Sequence, residues 1–235
     1  MLKVIRPLFV PIRKLKLSRA GFTLVELLVV IGIIAILAGV ALGPITGAIK
    51  NAKNNAAMQT TRTLALAEFQ YANDNNQSYP DTGTQGASGG TQAAGVANCL
   101  MSGGYIQDPS IFWISGSQET KYTGSLSTPT IAQSNISYDF TGNSNGQGVN
   151  PNAPDTLPLV WTSVSPNTPT LTSSGAVNVT VTNTNPLGTQ GIAVCYKSNS
   201  AQFMKASASN NQPTVYNFTP QVYPGWNATV LSGGG

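Results

Sequence analysis

At 235 residues the chain has room for one ordinary domain plus appendages. Charged residues make up only 9% of it, well below the roughly 25% of a typical soluble domain, and Gly, Ser, Thr and Asn take their place. There is no histidine, which excludes Ser-His-Asp or Cys-His catalysis and any His-ligated metal.

The net charge of +4 is unevenly placed. Lys3, Arg6, Arg13, Lys14, Lys16 and Arg19 all precede the first acid, Glu26. A chain cut after Gly21 keeps six bases against eight acids, a net charge of −2. The leader's basic charge is therefore no case for nucleic-acid binding, which needs a basic face on the folded domain.

Residues Leu27 to Leu42 form an unbroken apolar run, and residues 22–42 are just long enough to cross a bilayer. Arg13, Lys14, Lys16 and Arg19 place the amino-terminal side in the cytoplasm by the positive-inside rule. No small-residue cleavage site follows the run, so an ordinary secretory signal does not fit. One acid, Glu26, sits near the start of the run, where an ionised carboxylate needs a partner. On composition alone these features read as a single-span anchor.

The order Gly21-Phe-Thr-Leu-Val-Glu26, a basic leader before it and a long apolar helix after it, resembles the prepilin signature of type IV pilins and type II secretion pseudopilins. The resemblance is tight over residues 14–45. It implies cleavage after Gly21 by a prepilin peptidase, methylation of the new amino group on Phe22, and retention of the apolar helix as the core of a filament. In a bundle of such helices, the Glu26 carboxylate of one subunit can meet the Phe22 ammonium of the next and fix the axial register. Gly32, Gly39, Ala35, Ala38 and Ala41 thin the helix for close packing in lipid.

Gly43-Pro44 predicts a kink near the outer boundary, because proline removes one backbone hydrogen bond. Members of the resembled family often carry a proline near this depth. A helical pattern then resumes. Ile45, Ile49, Ala52, Ala56, Thr60, Leu64, Ala67 and Tyr71 make a small-residue stripe, with Lys50, Lys53, Asn54, Gln59 and Arg62 opposite. Residues 22 to about 72 as one kinked helix would be about 75 Å long. Tyr71, Asp74, Asn75, Tyr79 and Pro80 resemble the aromatic-x-x-Asp-Asn-x-x-Tyr-Pro ending common in pseudopilins, with one extra residue. Asn and Asp suit a helix end, and proline forbids continuation.

Residues 81–96 read as a low-complexity loop, and Cys99 to Pro109 as a short helix and turn. Strands are predicted at 111–114, 136–140, 159–164, 177–182, 192–197, 201–205 and 214–218, with the best hairpin between 191–197 and 201–205. The expected fold is α+β: a long amino-terminal helix packed on one carboxy-terminal antiparallel β-sheet, pilin-like by the resemblance. The expected division is a cleaved leader (1–21), a transmembrane and filament-core helix (22–43), its amphipathic continuation (44–76) and a β-rich extracytoplasmic domain (77–235). Trp113, Trp161 and Trp226 are read as core residues, with carbohydrate stacking as the functional alternative.

Cys99 and Cys195 could join as one disulfide in an oxidising compartment, or remain two buried thiols. Some related pseudopilins hold calcium, for which Asp139, Asn143, Asn145 and Asp155 are the candidates here. No EF-hand spacing is present, and a solvated Asn/Gly loop explains the same residues. No other cofactor is expected. No paired carboxylates or nucleophile motif stand out, so an enzyme is not expected.

The resemblance implies a structural filament subunit in the bacterial inner membrane. Its partners would be copies of itself, a prepilin peptidase, an inner-membrane assembly platform, minor pilins and membrane lipid. A secretion pseudopilin is the first reading. A surface pilin for adhesion, motility or DNA uptake is the second, and a non-polymerising, membrane-anchored ligand-binding β domain the third.

Overall fold

The computed structural model describes residues 21–80, 93–125, 130–143, 148–149, 151–164, 166, 169, 171, 177–209, 212–219 and 228–231. Helical backbone runs from Leu24 to Asp74 (α1) and passes through Pro44. Contacts divide the chain into two units, Met1–Gly47 and Ala48–Gly235. In the first unit every described side chain is exposed.

The second unit begins with the later part of α1. That helix stops as its sequence predicts. Asn76 and Gln77 take left-handed φ values of 53° and 63°, the Gln77 amide donates to the Ala72 carbonyl at 2.7 Å, and the Asn75 side chain donates to the Tyr71 carbonyl at 2.8 Å. These bonds satisfy carbonyls that the helix end would orphan. Tyr79 and Pro80 then turn inward and are buried.

A second helix, α2 (Ala93–Ser102), starts inside the stretch expected to be loop. Its Ala-Ala-Gly-Val-Ala start looks like low complexity, yet nearly all of it is buried, so tertiary packing rather than propensity holds it. Asn98 anchors it by exchanging two hydrogen bonds with the Ile131 backbone, at 2.7 and 3.0 Å.

Among the described residues eight strands follow: β1 (Tyr138–Asn143), β2 (Pro158–Thr162), β3 (Val177–Thr180), β4 (Gly191–Tyr196), β5 (Ala201–Lys205), β6 (Ser207–Ser209), β7 (Gln212–Thr219) and β8 (Ala228–Leu231). They form two antiparallel sheets, ordered β5-β4-β2-β1-β8 and β3-β7-β6. The single sheet expected from sequence is thus corrected to two.

The five-stranded sheet is covered on both faces. On one face, Tyr138, Phe140, Val160, Ala193 and Cys195 share a core with Leu64, Ala65, Val96 and Leu100 of the helices. On the other, Trp161, Ile192 and Val194 pack with Val179, Val215 and Phe218 of the second sheet. Trp161 meets Phe218 edge-on, with ring centroids 5.1 Å apart. This explains why β4 reads as a continuous apolar run, since every residue in it is buried.

The predicted hairpin is β4–β5, closed by the Tyr196 amide on the Ser200 carbonyl at 3.0 Å, with Asn199 left-handed at φ 59°. The strand predicted at 111–114 is instead a 3-10 turn, Pro109–Phe112. Asp108 caps it by accepting from the Ser110 amide at 2.8 Å and hydroxyl at 2.7 Å, and Pro109 supplies a first position that needs no donor. These bonds hold the Asp108 carboxyl below its usual range.

Gly191, at the start of β4, has φ 145°, and a Cβ there would collide with the Met204 carbonyl of β5. We predict that Gly191→Ala lowers stability by about 2 kcal/mol. Urea unfolding of the detergent-solubilised chain, followed by tryptophan fluorescence, measures it. An unchanged midpoint would show that the β4–β5 pair relaxes freely.

Candidate functional site

The site is the start of α1 and the apolar stretch behind it. Thr23 is the N-cap: its carbonyl accepts the first helical bond, from the Leu27 amide at 3.3 Å. The Glu26 amide donates to Thr23 Oγ1 at 3.2 Å. The Glu26 carboxylate in turn accepts from the Thr23 amide at 2.9 Å and the Thr23 hydroxyl at 2.8 Å. This is a reciprocal capping box, and it satisfies two backbone donors that a helix start otherwise orphans. The acid that looked unpaired in sequence therefore has a partner in its own chain. The signal was present as Thr-x-x-Glu before an apolar run, a pattern the sequence reading passed over.

Phe22, next to Gly21, is 87% exposed. From Leu24 the side chains of Val25, Leu27, Leu28, Ile31, Ile34 and Leu37 are also exposed, on every side of the helix. Helix α1 is long and apolar enough to cross a membrane, and none of its most apolar stretch is buried among the described residues. Such a surface in water would be strongly unfavourable, at about 25 cal/mol for each Å². Gly32, Gly39, Gly43 and Gly47 have open space where a Cβ would stand, so they make no close approach within the chain. At Pro44 the missing amide leaves the Val40 carbonyl without its usual donor. The Thr46 hydroxyl donates to the Gly43 carbonyl at 2.8 Å.

Residues 16–42 match the family model described as the prokaryotic N-terminal methylation motif. The chain carries the leader signature of type IV pilins and pseudopilins. That motif and the long apolar helix fit a membrane-anchored, single-pass pilin-like subunit, a structural protein rather than an enzyme. Among curated proteins and among solved structures nothing matches the chain.

The other residues singled out from sequence belong to the second unit. Asp139 is buried in β1 and its Oδ2 accepts from the Val164 amide at 3.1 Å. Asp155 is exposed and pairs with Lys197 at 3.7 Å. Lys197 also donates to the carbonyls of Pro151 and Ala153. Asn145 and the side chain of Asn143 fall outside the described residues. Among the described residues no group of three or more His, Cys, Asp or Glu side chains is placed to hold a metal.

Cys99 in α2 and Cys195 in β4 are separate buried thiols, so the disulfide left open by the sequence is not formed. Burial, reinforced by the Glu68 carboxyl, pushes the Cys195 thiol up to about 11, which keeps it protonated. Trp161 is fully buried and offers no stacking surface. Trp113 is half-buried, its Nε1 donating to the Glu119 carbonyl at 2.8 Å. Trp226 lies outside the described residues.

The stripe read on α1 holds at Leu64 and Ala67 and is off by about one residue elsewhere. The buried positions are Asn54, Ala57, Thr61, Leu64, Ala65, Ala67, Glu68 and Ala72, whereas Ala52 and Ala56 are exposed. Asn54 was assigned to the polar side and is 7% exposed. Glu68 was missed altogether and is 2% exposed, while its neighbour Phe69 faces out. Burial drives the Glu68 carboxyl well above its usual pKa.

Proposed function

We propose that the protein is the structural subunit of a type IV pilus-like filament, and within that class a type II secretion pseudopilin. Residues 22–43 hold it in the bacterial inner membrane, with the β-rich domain outside the cytoplasm. The observation that carries this reading is the methylation motif at residues 16–42, set directly on an apolar helix that nothing among the described residues covers. Lipid covers such a helix before assembly, and copies of the same helix cover it afterwards. Cleavage after Gly21 would create an ammonium on Phe22, four residues from the Glu26 carboxylate. In a filament the Glu26 of one subunit would exchange its local cap for the Phe22 ammonium of the next, fixing the axial step. The partners are accordingly other copies, a prepilin peptidase, the inner-membrane assembly platform, minor pilins and lipid.

Support for the secretion class comes from the end of α1. There Tyr71, Asp74, Asn75, Tyr79 and Pro80 close the helix in the order common in pseudopilins, with Tyr79 and Pro80 buried. A surface pilin shares the same amino-terminal helix.

The deciding experiment is the intact mass and amino-terminal peptide of the membrane-extracted protein. The expected chain begins at Phe22 and carries one added methyl. A chain still beginning at Met1, or cut beyond Leu42, would overturn the filament reading. Recovery of the protein in a sheared cell-surface fraction, instead of the cell envelope, would favour a surface pilin over a secretion pseudopilin.

A further inference from the structure

Between the apolar run and the buried Glu68, the chain carries charge of one sign only. Lys50, Lys53 and Arg62 fall there, and no acid stands between Glu26 and Glu68. Lys50 comes eight residues after Leu42, at most about 12 Å of helical chain. Lys53 follows three residues later, a neighbour on the helix surface. The fold adds a third cation. Lys205, at the end of β5, lines a cleft with Asn51, Asn54 and Asn55, so it stands level with the first turns of α1 in the second unit.

Lys50 and Lys205 are exposed. Lys53 is half-buried beside Gly116, where a Cβ would sit 3.5 Å from the lysine Nζ, and burial lowers its pKa. None of the three pairs with a carboxylate among the described residues. Two exposed acids lie instead at the other end of α1. Asp74 closes the helix, and Asp155 lines a cavity with Phe69, Ala72 and Gln77. Glu119, three residues from Gly116, already accepts from the Ser137 hydroxyl at 3.0 Å.

We propose that Lys50, Lys53 and Lys205 form a docking surface for the anionic phospholipid headgroups of the membrane that residues 22–43 span. The proposal rests on that span and not on polymerisation. Headgroups extend about 5–7 Å beyond the hydrocarbon. Helix side chains lean towards the amino terminus, which returns lysine ammonium groups from α1 towards that layer. Each lysine beside an anionic surface strengthens the attraction about fivefold. Bases this close to the span along the chain meet headgroups in every anchored molecule, before any second copy arrives.

The test reconstitutes the full chain into vesicles of phosphatidylcholine alone, or of phosphatidylcholine mixed with phosphatidylglycerol. A water-soluble amine reagent is added, and peptide mass spectrometry reads the rate at each lysine, so the leader's bases do not enter the result. Phosphatidylglycerol should slow Lys50, Lys53 and Lys205 at least about threefold. Lys197, paired with Asp155, should react alike in both. High salt should erase the difference. Equal rates at the three lysines in vesicles that carry the chain would overturn the proposal and leave the span standing. A chain that fails to float with either vesicle would overturn the span, and the proposal with it. Slowing that follows the protein-to-lipid ratio and ignores phosphatidylglycerol would also overturn the proposal, because a second copy would then be covering the lysines.

Discussion

Glu26→Gln should be cut after Gly21 and methylated like the wild type, yet yield at least about tenfold fewer filaments. The reasoning separates two roles that an alanine variant confounds. Thr23 and Glu26 form a reciprocal cap at the start of α1. Glutamine at the same position keeps that cap, because its side-chain oxygen still accepts from the Thr23 amide. Loss of a cap costs about 0.5–2 kcal/mol and acts on each helix by itself. Loss of the charge acts only between subunits, where it leaves the Phe22 ammonium buried without a counter-ion, at about 3–5 kcal/mol. Glu26→Ala removes both and should assemble no better than Glu26→Gln. Mass spectrometry reports the processing, and quantitative microscopy of the assembled fraction reports the filaments. Wild-type filament yield from Glu26→Gln would leave the carboxylate as a helix cap alone.

Glu68→Gln should raise stability at alkaline pH by about 3 kcal/mol and change it little in acid. Glu68 is 2% exposed, and no cation is paired with it among the described residues. Burial raises its pKa in the folded chain well above the 4.5 of an exposed glutamate. The unfolded chain therefore releases its proton first as the pH rises, and stability falls with pH wherever the folded state holds more protons. The contribution is full below 4.5, declines as pH climbs from there towards the raised folded pKa, and is flat above it. Urea midpoints measured across that range for both chains give the difference curve, which cancels every other titrating group. Parallel curves at all pH values would show that Glu68 finds a counter-charge in solution. The same carboxyl, after burial itself, helps push the Tyr79 phenol up to about 12. Glu68→Gln should therefore lower that value too.

The parts of the fold that rest on local chemistry were legible in the sequence. The span of α1 follows from its composition, its end from Asp74, Asn75 and Pro80, and the β4–β5 hairpin from Ser-Asn-Ser between two apolar runs. What depends on distant partners was not. The helix face was misplaced because small residues lie on both sides of α1. The sheet supplies the bulk, through Tyr138, Phe140 and Val160, so positions such as Ala57, Thr61 and Ala65 need only be small. The second sheet was not legible because β6 is short, with Ser-Ala-Ser carrying little alternation, and nothing local in β3 or β7 says which sheet they join. At the candidate site, Gly21, Phe22 and Glu26 were readable as a motif. The cap that joins Thr23 to Glu26 was equally readable and was overlooked in favour of a partner in another subunit.

Strand order carries a consequence for how the domain matures. Strand β8, the last of the described strands, seals the outer edge of β1, whereas the inner neighbour β2 follows β1 closely in the chain. A chain emerging amino-terminus first therefore presents β1 with its outer flank bare for the time taken to deliver some 85 further residues. Open strand flanks invite pairing with other chains. Newly exported molecules should thus be most prone to clump just before residues 228–231 arrive. Protein shortened ahead of Ala228 should be cleared or precipitate even though its long helix is intact.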